Sequence, residues 1–330
     1  MAVTMAEITK LRHLTSAGLM DCKKALAETD GDIEKAVEIL RKKGQAVAAK
    51  REDRQAAEGC VLAKSEGNFA AIVALNCETD FVAKNAGFVE LTQKILDAAV
   101  ANRVKSVDEL KALQLNGLTI ADLVTEESGK TGEKTEISAY EWLEGPSTTS
   151  YNHLGNKLST IVAFNLEGVD YQVGRDVAMQ VASMNPVAVD QASVPAEVVE
   201  SEKAVAIEKT KQEQVKKAVE NALKKAGINP NLVDSEDHIE SNIAKGWLTA
   251  EEADKARVII KETAEAKAAN LPEQMIENIT KGRLQKFYKE SCLMEQEFIK
   301  DGDLTIGKYL EKAQSGLVVA AFKRVNLNQD

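Results

Sequence analysis

The chain has 330 residues, 44% hydrophobic and 28% charged, an ordinary globular composition with ample apolar surface for a core and a length that suggests two or three domains. A formal net charge of −10 argues against nucleic-acid binding by bulk electrostatics, which needs a basic footprint. No apolar run approaches the ~20 residues of a membrane span, and "MAVTMAEITK" lacks the charged start and apolar core of a signal peptide, so a cytoplasmic location is expected. The four cysteines, Cys22, Cys60, Cys77 and Cys292, form no CxxC pair and have no His at metal spacing. Reduced thiols without a metal or cofactor are therefore expected.

Residues 5–45 read as three short helices. Ile8, Leu11 and Leu14 have helical spacing, Gly18 breaks the pattern, and Leu19, Met20, Cys22 and Leu26 resume it. Ile33, Val37 and Leu40 share a third face, which the spacing ends at Gly44 behind basic residues. Residues 45–59 read as an exposed helical linker. "CVLAKSE" and "FAAIVALN" read as strands joined by the hairpin signal Gly67-Asn68. The pattern then predicts a turn at Thr79, Asp80 and Phe81, a helix over 86–101, helix again over 106–128, and a strand in "EKTEISAYEWLEG".

A second α/β unit begins near Thr149, with "LSTIVAFNLEG" as strand and "YQVGRDVAMQVASM" as a helix closed by Pro186. Residues 197–285 carry long charged helices with a thin apolar stripe of Val199, Ile207, Val215, Val219 and Leu223, broken at "INPNLVDSED". A narrow stripe of that kind predicts a helical hairpin packed on itself. The remaining segment reads as a strand, a short helix and a last strand. The predicted class is α+β: two related α/β core subdomains with a helical hairpin inserted in the second.

Few motifs carry chemistry. "GDLTIGKY" has P-loop-like Gly and Lys spacing but ends in Tyr309, where Ser or Thr would have to reach Mg²⁺; a turn before a short helix explains it. The three histidines are His13, His153 and His238, and only His153, in "SYNHLGNK", has a claim to function beside the alternative of a polar loop histidine. No HExxH, GxSxG or paired-carboxylate pattern is present, so an enzyme is not expected. Asp80 and Phe81 admit two local readings. Thr79 or Asp80 caps a helix while Phe81 tucks into the core, or Phe81 stands out as an anchor for another protein.

"TDFVAKNAGF" closely resembles the signature of bacterial translation elongation factor Ts. "LRHLTSAGLMDCKKALAETDGDIEKAVEILRKKG" resembles that family's ubiquitin-associated-like (UBA-like) three-helix module, and "SYNHLGNK", "DVAMQVASMNP", "PAEVVESEK", "KGRLQKFYKE" and "EQEFIKDGDLTIGKYL" match its later landmarks in order. The resemblance implies a UBA-like module and linker over 1–55, a core subdomain over 56–145, a second over 146–196 and 286–330, and a coiled-coil insertion over 197–285. It implies a non-catalytic guanine-nucleotide exchange factor that binds elongation factor Tu in its GDP-bound and nucleotide-free states, without nucleic acid or membrane. By the same resemblance Thr79, Asp80, Phe81 and Val82 form the turn that disturbs the partner's Mg²⁺ site, and Lys23, His153, Phe298 and Ile299 make further partner contacts. Two departures stand out: the insertion is longer than in the family pattern, and the chain stops at "FKRVNLNQD" without a further C-terminal helix, so contacts of that helix are expected to be missing. A binding module indifferent to GDP, and an enzyme using Asp80 with His153, are the competing readings.

Overall fold

The computed structural model describes residues 3–15, 17–115 and 117–328. Two units are separable: one runs from the N-terminus to Val189 and resumes at Leu293, and the other is Asp190–Cys292.

The first unit opens with three helices, α1 (Met5–Thr15), α2 (Leu19–Glu28) and α3 (Ile33–Lys50). They enclose a small core of Ile8, Leu11, Cys22, Ala25, Leu26 and Ala36. Helix α3 does not stop at Gly44 as the basic last turn suggested; it runs on to Lys50. The reason is tertiary. Gly44 is buried in the crossing with a later helix, and its Cα lies 2.4 Å from where a Cβ on Gly129 would sit. The absence of a Cβ on Gly129 permits so close a backbone approach.

Strands β1 (Glu58–Glu66) and β2 (Phe69–Cys77) form an antiparallel hairpin closed by Gly67-Asn68. Gly67 has φ of 61°, the positive first position of a tight hairpin turn. A single-turn helix α4 (Asp80–Ala83) and helix α5 (Ala86–Ala101) follow. The stretch expected to be continuous helix over 106–128 is instead α6 (Val107–Ala112), a two-residue ladder β3 (Gln114–Leu115) with β4 (Leu118–Thr119), and α7 (Ile120–Thr131). Ser106 caps α6, and Thr119 with Asp122 makes a capping box for α7, so two separate helix starts occupy that stretch. Strand β5 (Glu136–Glu144) then pairs with β2.

The second half repeats the plan. Strands β6 (Ser147–Asn152) and β7 (Leu158–Phe164) form a hairpin, and α8 (Tyr171–Met184) covers it. After the inserted unit come β8 (Glu297–Phe298), β9 (Asp301–Thr305), α13 (Ile306–Ala313) and β10 (Val319–Asn326), with β10 pairing β7. The sheet orders are β1-β2-β5 and β10-β7-β6. Each is a hairpin plus a third strand laid antiparallel on the hairpin's second strand.

The two sheets pack face to face through Val61, Ala63, Ala70, Ile72, Ala74, Leu143, Ile161 and Ala163. The many alanines keep that layer thin. On its other face β2 sends Phe69, Ala71, Val73 and Leu75 against Phe88, Ile95 and Leu96 of α5. With both faces covered, all nine β2 residues are buried, so Phe69 to Leu75 read as a continuous apolar run rather than an alternation. The Asn152 side chain stitches the sheets by accepting from Ala63 N–H at 2.6 Å and donating to Ala63 C=O at 2.9 Å.

In the second unit α9 (Ala196–Lys225) packs against α11 (Ala250–Ala269) and α12 (Glu273–Ser291), with α10 (Glu236–Ala244) between α9 and α11 in sequence. The return arm is interrupted because Pro272 cannot continue α11. The "RLQKFYKES" segment completes α12. Leu223, Ile228, Val233, Ile239, Leu248, Ala253 and Ala256 give the tip its own core. None of the helices is long and apolar enough to cross a membrane among the described residues.

Candidate functional site

Strand β2 ends at Cys77, and two residues later the chain enters α4. Thr79 is extended and its hydroxyl accepts from Val82 N–H at 3.5 Å, so Thr79 is the cap. Ala83 is buried and Val82 packs partly on the core, whereas Phe81 is 85% exposed. The two local readings of this turn therefore divide between residues: Thr79 caps, and Phe81 is not core. Asp80 is held by Lys84 at 2.7 Å, which keeps its carboxyl below the usual range and raises the lysine.

Behind the turn lies a set of contacts that the sequence did not announce. The Glu133 carboxylate accepts from the N–H of Glu78 at 3.1 Å, the N–H of Thr79 at 3.0 Å and the hydroxyl of Thr79 at 2.6 Å. The Glu78 carboxylate accepts from Lys134 N–H at 2.7 Å and from Arg51 at 2.8 Å to each oxygen. The Lys134 N–H first, with Arg51 adding to it, holds the Glu78 carboxyl below its ordinary value. The Cys77 thiol donates to Thr79 C=O at 3.2 Å, and burial together with the Glu133 charge pushes that thiol up to about 12. Glu78, Glu133 and Arg51 are separated by more than 25 residues each in sequence, and no local pattern links them.

The other expected positions lie on separate elements. Lys23 is exposed on α2, one helical step from the exposed Leu19 and Met20. His153 is exposed at the end of the β6–β7 hairpin, with Nδ1 3.0 Å from the Tyr151 hydroxyl. Its neighbour Leu154 is 94% exposed. Lys157 of the same loop bonds Glu58 at 2.7 Å and helps hold the Asp80 carboxyl low, so this loop and the Phe81 turn share one end of the sandwich. On the β8–β9 turn the pair Phe298 and Ile299 splits. Ile299 is 43% exposed, but Phe298 is 5% exposed and stacks on Tyr309 with ring centroids 4.3 Å apart. The ring of Phe298 is core and positions the turn; Ile299 is the residue presented outward. Gln180 of α8 fixes that turn by accepting from Ile299 N–H at 3.0 Å and donating to Glu297 C=O at 3.0 Å. Asp176 of α8 anchors Lys300 at 2.7 Å.

Little here suits covalent chemistry. The P-loop-like stretch is β9 followed by α13, with Thr305 capping the helix through Lys308 N–H, so its backbone donors do not face an open cradle. His13 is exposed on α1, and His238 is exposed beside Asp234. Among the described residues no group of three His, Cys, Asp or Glu is placed to hold a metal ion.

The family model described as Elongation factor TS matches residues 78–236 and 213–329. The chain is 61% identical to elongation factor Ts of Parabacteroides distasonis and 62% identical to that of Phocaeicola vulgatus, each over 331 aligned residues and the whole of both chains. It is 46% identical to elongation factor Ts of Porphyromonas gingivalis over the same span. The chain belongs to the elongation factor Ts family. Against those full-length relatives the inserted unit is no anomaly, because the alignment covers all of each chain. The stretch "TDFVAKNAGF" places one large ring, Phe81, in solvent on a turn whose backbone is held by Glu133.

Proposed function

We propose that this chain is a guanine-nucleotide exchange factor for elongation factor Tu, acting during the elongation phase of protein synthesis in the cytoplasm. It binds the GDP form, weakens the Mg²⁺ and phosphate site, and lets GTP enter. The observation that carries this reading is Phe81, 85% exposed on a held turn in a member of the elongation factor Ts family. A ring that contributes little to its own fold is available to be buried in a partner.

The exchange factor favours the nucleotide-free partner, and linkage then requires it to weaken GDP by the same factor. Mg²⁺ is a large local charge on the phosphates, so moving the groups that support it loosens the nucleotide. Accelerating release about 10⁴-fold needs roughly 5.5 kcal/mol off the barrier. Burying one Phe supplies ~1.5–3 kcal/mol. Other contacts must add the rest, and Asp80, Val82, Lys23, His153 and Ile299 are the proposed ones. The three-helix module would dock through the Lys23 face, and no covalent step on this chain is involved.

The test is the release rate of a fluorescent GDP analogue from elongation factor Tu with and without this protein. Acceleration that vanishes in Phe81→Ala supports the reading. No acceleration by the wild type would overturn it.

A further inference from the structure

We propose that Glu133 is a positioning residue for Phe81, and that Glu78 with Arg51 ties the same turn to the end of α3; the proposal rests on Phe81 being the wedge. Helix α4 has only four residues, too few to be stable as an isolated helix. Its cap bond, at 3.5 Å, is at the outer limit of a hydrogen bond. Phe81 itself packs on nothing that would hold it. Yet a wedge works only if it resists being pushed back.

The resistance comes from behind. Two short segments, 78–79 and 133–134, each give backbone N–H groups to a carboxylate of the other. The Thr79 hydroxyl donates to Glu133 at 2.6 Å, within the range of a charge-assisted bond, and its lone pairs face Val82 N–H. All three groups facing Glu133 are therefore donors, and only a carboxylate offers acceptors on both of its arms. A glutamine of the same shape would turn an N–H₂ towards at least one of them. Glu78 closes the second link. Arg51 is the residue that caps the C-terminus of α3, so the helix leaving the N-terminal module and the turn bearing Phe81 share one carboxylate.

The experiment measures GDP release from elongation factor Tu over a range of exchange-factor concentrations for wild type, Glu133→Gln, Phe81→Ala and the double variant. Glu133→Gln is expected to lower the saturating release rate about tenfold, the scale of a lost charge-assisted bond. The half-saturating concentration should change much less, because the docking surfaces are intact. In the Phe81→Ala background the same substitution should have no further effect, since Glu133 acts through that ring. A role in general stability would instead add equally in both backgrounds, and that result overturns the proposal. So does a Glu133→Gln rate near wild type while Phe81→Ala is impaired. If Phe81→Ala itself exchanges normally, the wedge reading fails and this one with it. Should Glu133→Gln fold poorly, Thr79→Val exchanges the hydroxyl for a methyl, losing the 2.6 Å bond to Glu133 together with the 3.5 Å cap bond, and must lower the rate, and Thr79→Ser must restore most of what Thr79→Val loses. Loss of rate in Thr79→Val without that recovery overturns the proposal.

Discussion

The two α/β halves share a topology but differ at the same place in it. Each is a hairpin, a covering helix and a third strand laid on the hairpin's second strand. In each, the chain leaving the central strand is tied to the segment entering the third strand. In the second half the tie is one neutral amide: Asn165 accepts from Val318 N–H at 2.8 Å and donates to Gly316 C=O at 2.9 Å. In the first half two carboxylates do the work, with Arg51 drawn in. The ring that follows is exposed in both, Phe81 at 85% and Tyr171 at 73%. Tyr171, however, opens a fourteen-residue helix that packs along its length, whereas Phe81 sits on a single turn. The repeated architecture makes a scaffold, and the proposed site lies where the copies diverge.

The sharpest break of this comparison is at the rings. Phe81→Ala is expected to cut stimulated GDP release about 10- to 150-fold, from ~1.5–3 kcal/mol of lost burial. Its melting temperature should barely change. Tyr171→Ala should leave release within about twofold, as for a surface residue away from special features. Equal losses for the two would mean that the halves are functionally alike.

Next come the glycines that seat a helix in each half. A Cβ on Gly129 of α7 would lie 2.4 Å from Gly44 Cα, and one on Gly174 of α8 would lie 2.2 Å from the Thr149 hydroxyl. Both Ala substitutions should destabilise by about 1–3 kcal/mol, read as a lower urea midpoint. Gly129 meets backbone, so Gly129→Ala should be the costlier. Gly44→Ala, whose Cβ would find its nearest neighbour at 3.5 Å, should cost less than Gly129→Ala.

A smaller effect separates carboxylate from amide. The folded-state value of Glu78 lies below its ordinary 4.5. Its contribution to stability is therefore complete above about that pH and is lost as pH falls through the lowered value. Glu78→Gln should flatten the acid limb of stability against pH, and Asn165→Ala should lower stability without changing that limb. Smallest of all, Leu154→Ser should leave stability within about 0.5 kcal/mol. A larger drop in the urea midpoint would mean that the ring of contacts around His153 is structural.

Local chemistry made much of this legible. Gly67-Asn68 marked the first hairpin, the spacing from Ala86 to Ala101 marked α5 at its observed ends, and "TDFVAKNAGF" singled out the turn. Two of the passages that misled turn on a partner outside the local window, and two on short caps. Gly44 looked like a helix end, but it lies inside α3 where the helix crosses α7, against Gly129, the glycine of the two with no room for a Cβ. Phe298 looked like a contact because its stacking partner Tyr309 lies across a strand and a turn. The break inside 106–128 and the helix at 236–244 are set by short caps, Thr119 and Ser235, inside stretches whose apolar spacing stays helical.

By itself, then, the sequence determined the elements whose pattern is local, the mixed helix-and-sheet class and the family. It also determined which ring to question. Whether that ring was buried or exposed was decided only by tertiary structure. Ala83 fills the core beneath α4, and Glu133, more than fifty residues away, fixes the backbone in front of it. Burial and long-range hydrogen bonds depend on where the chain returns in space, and no window of neighbouring residues encodes that.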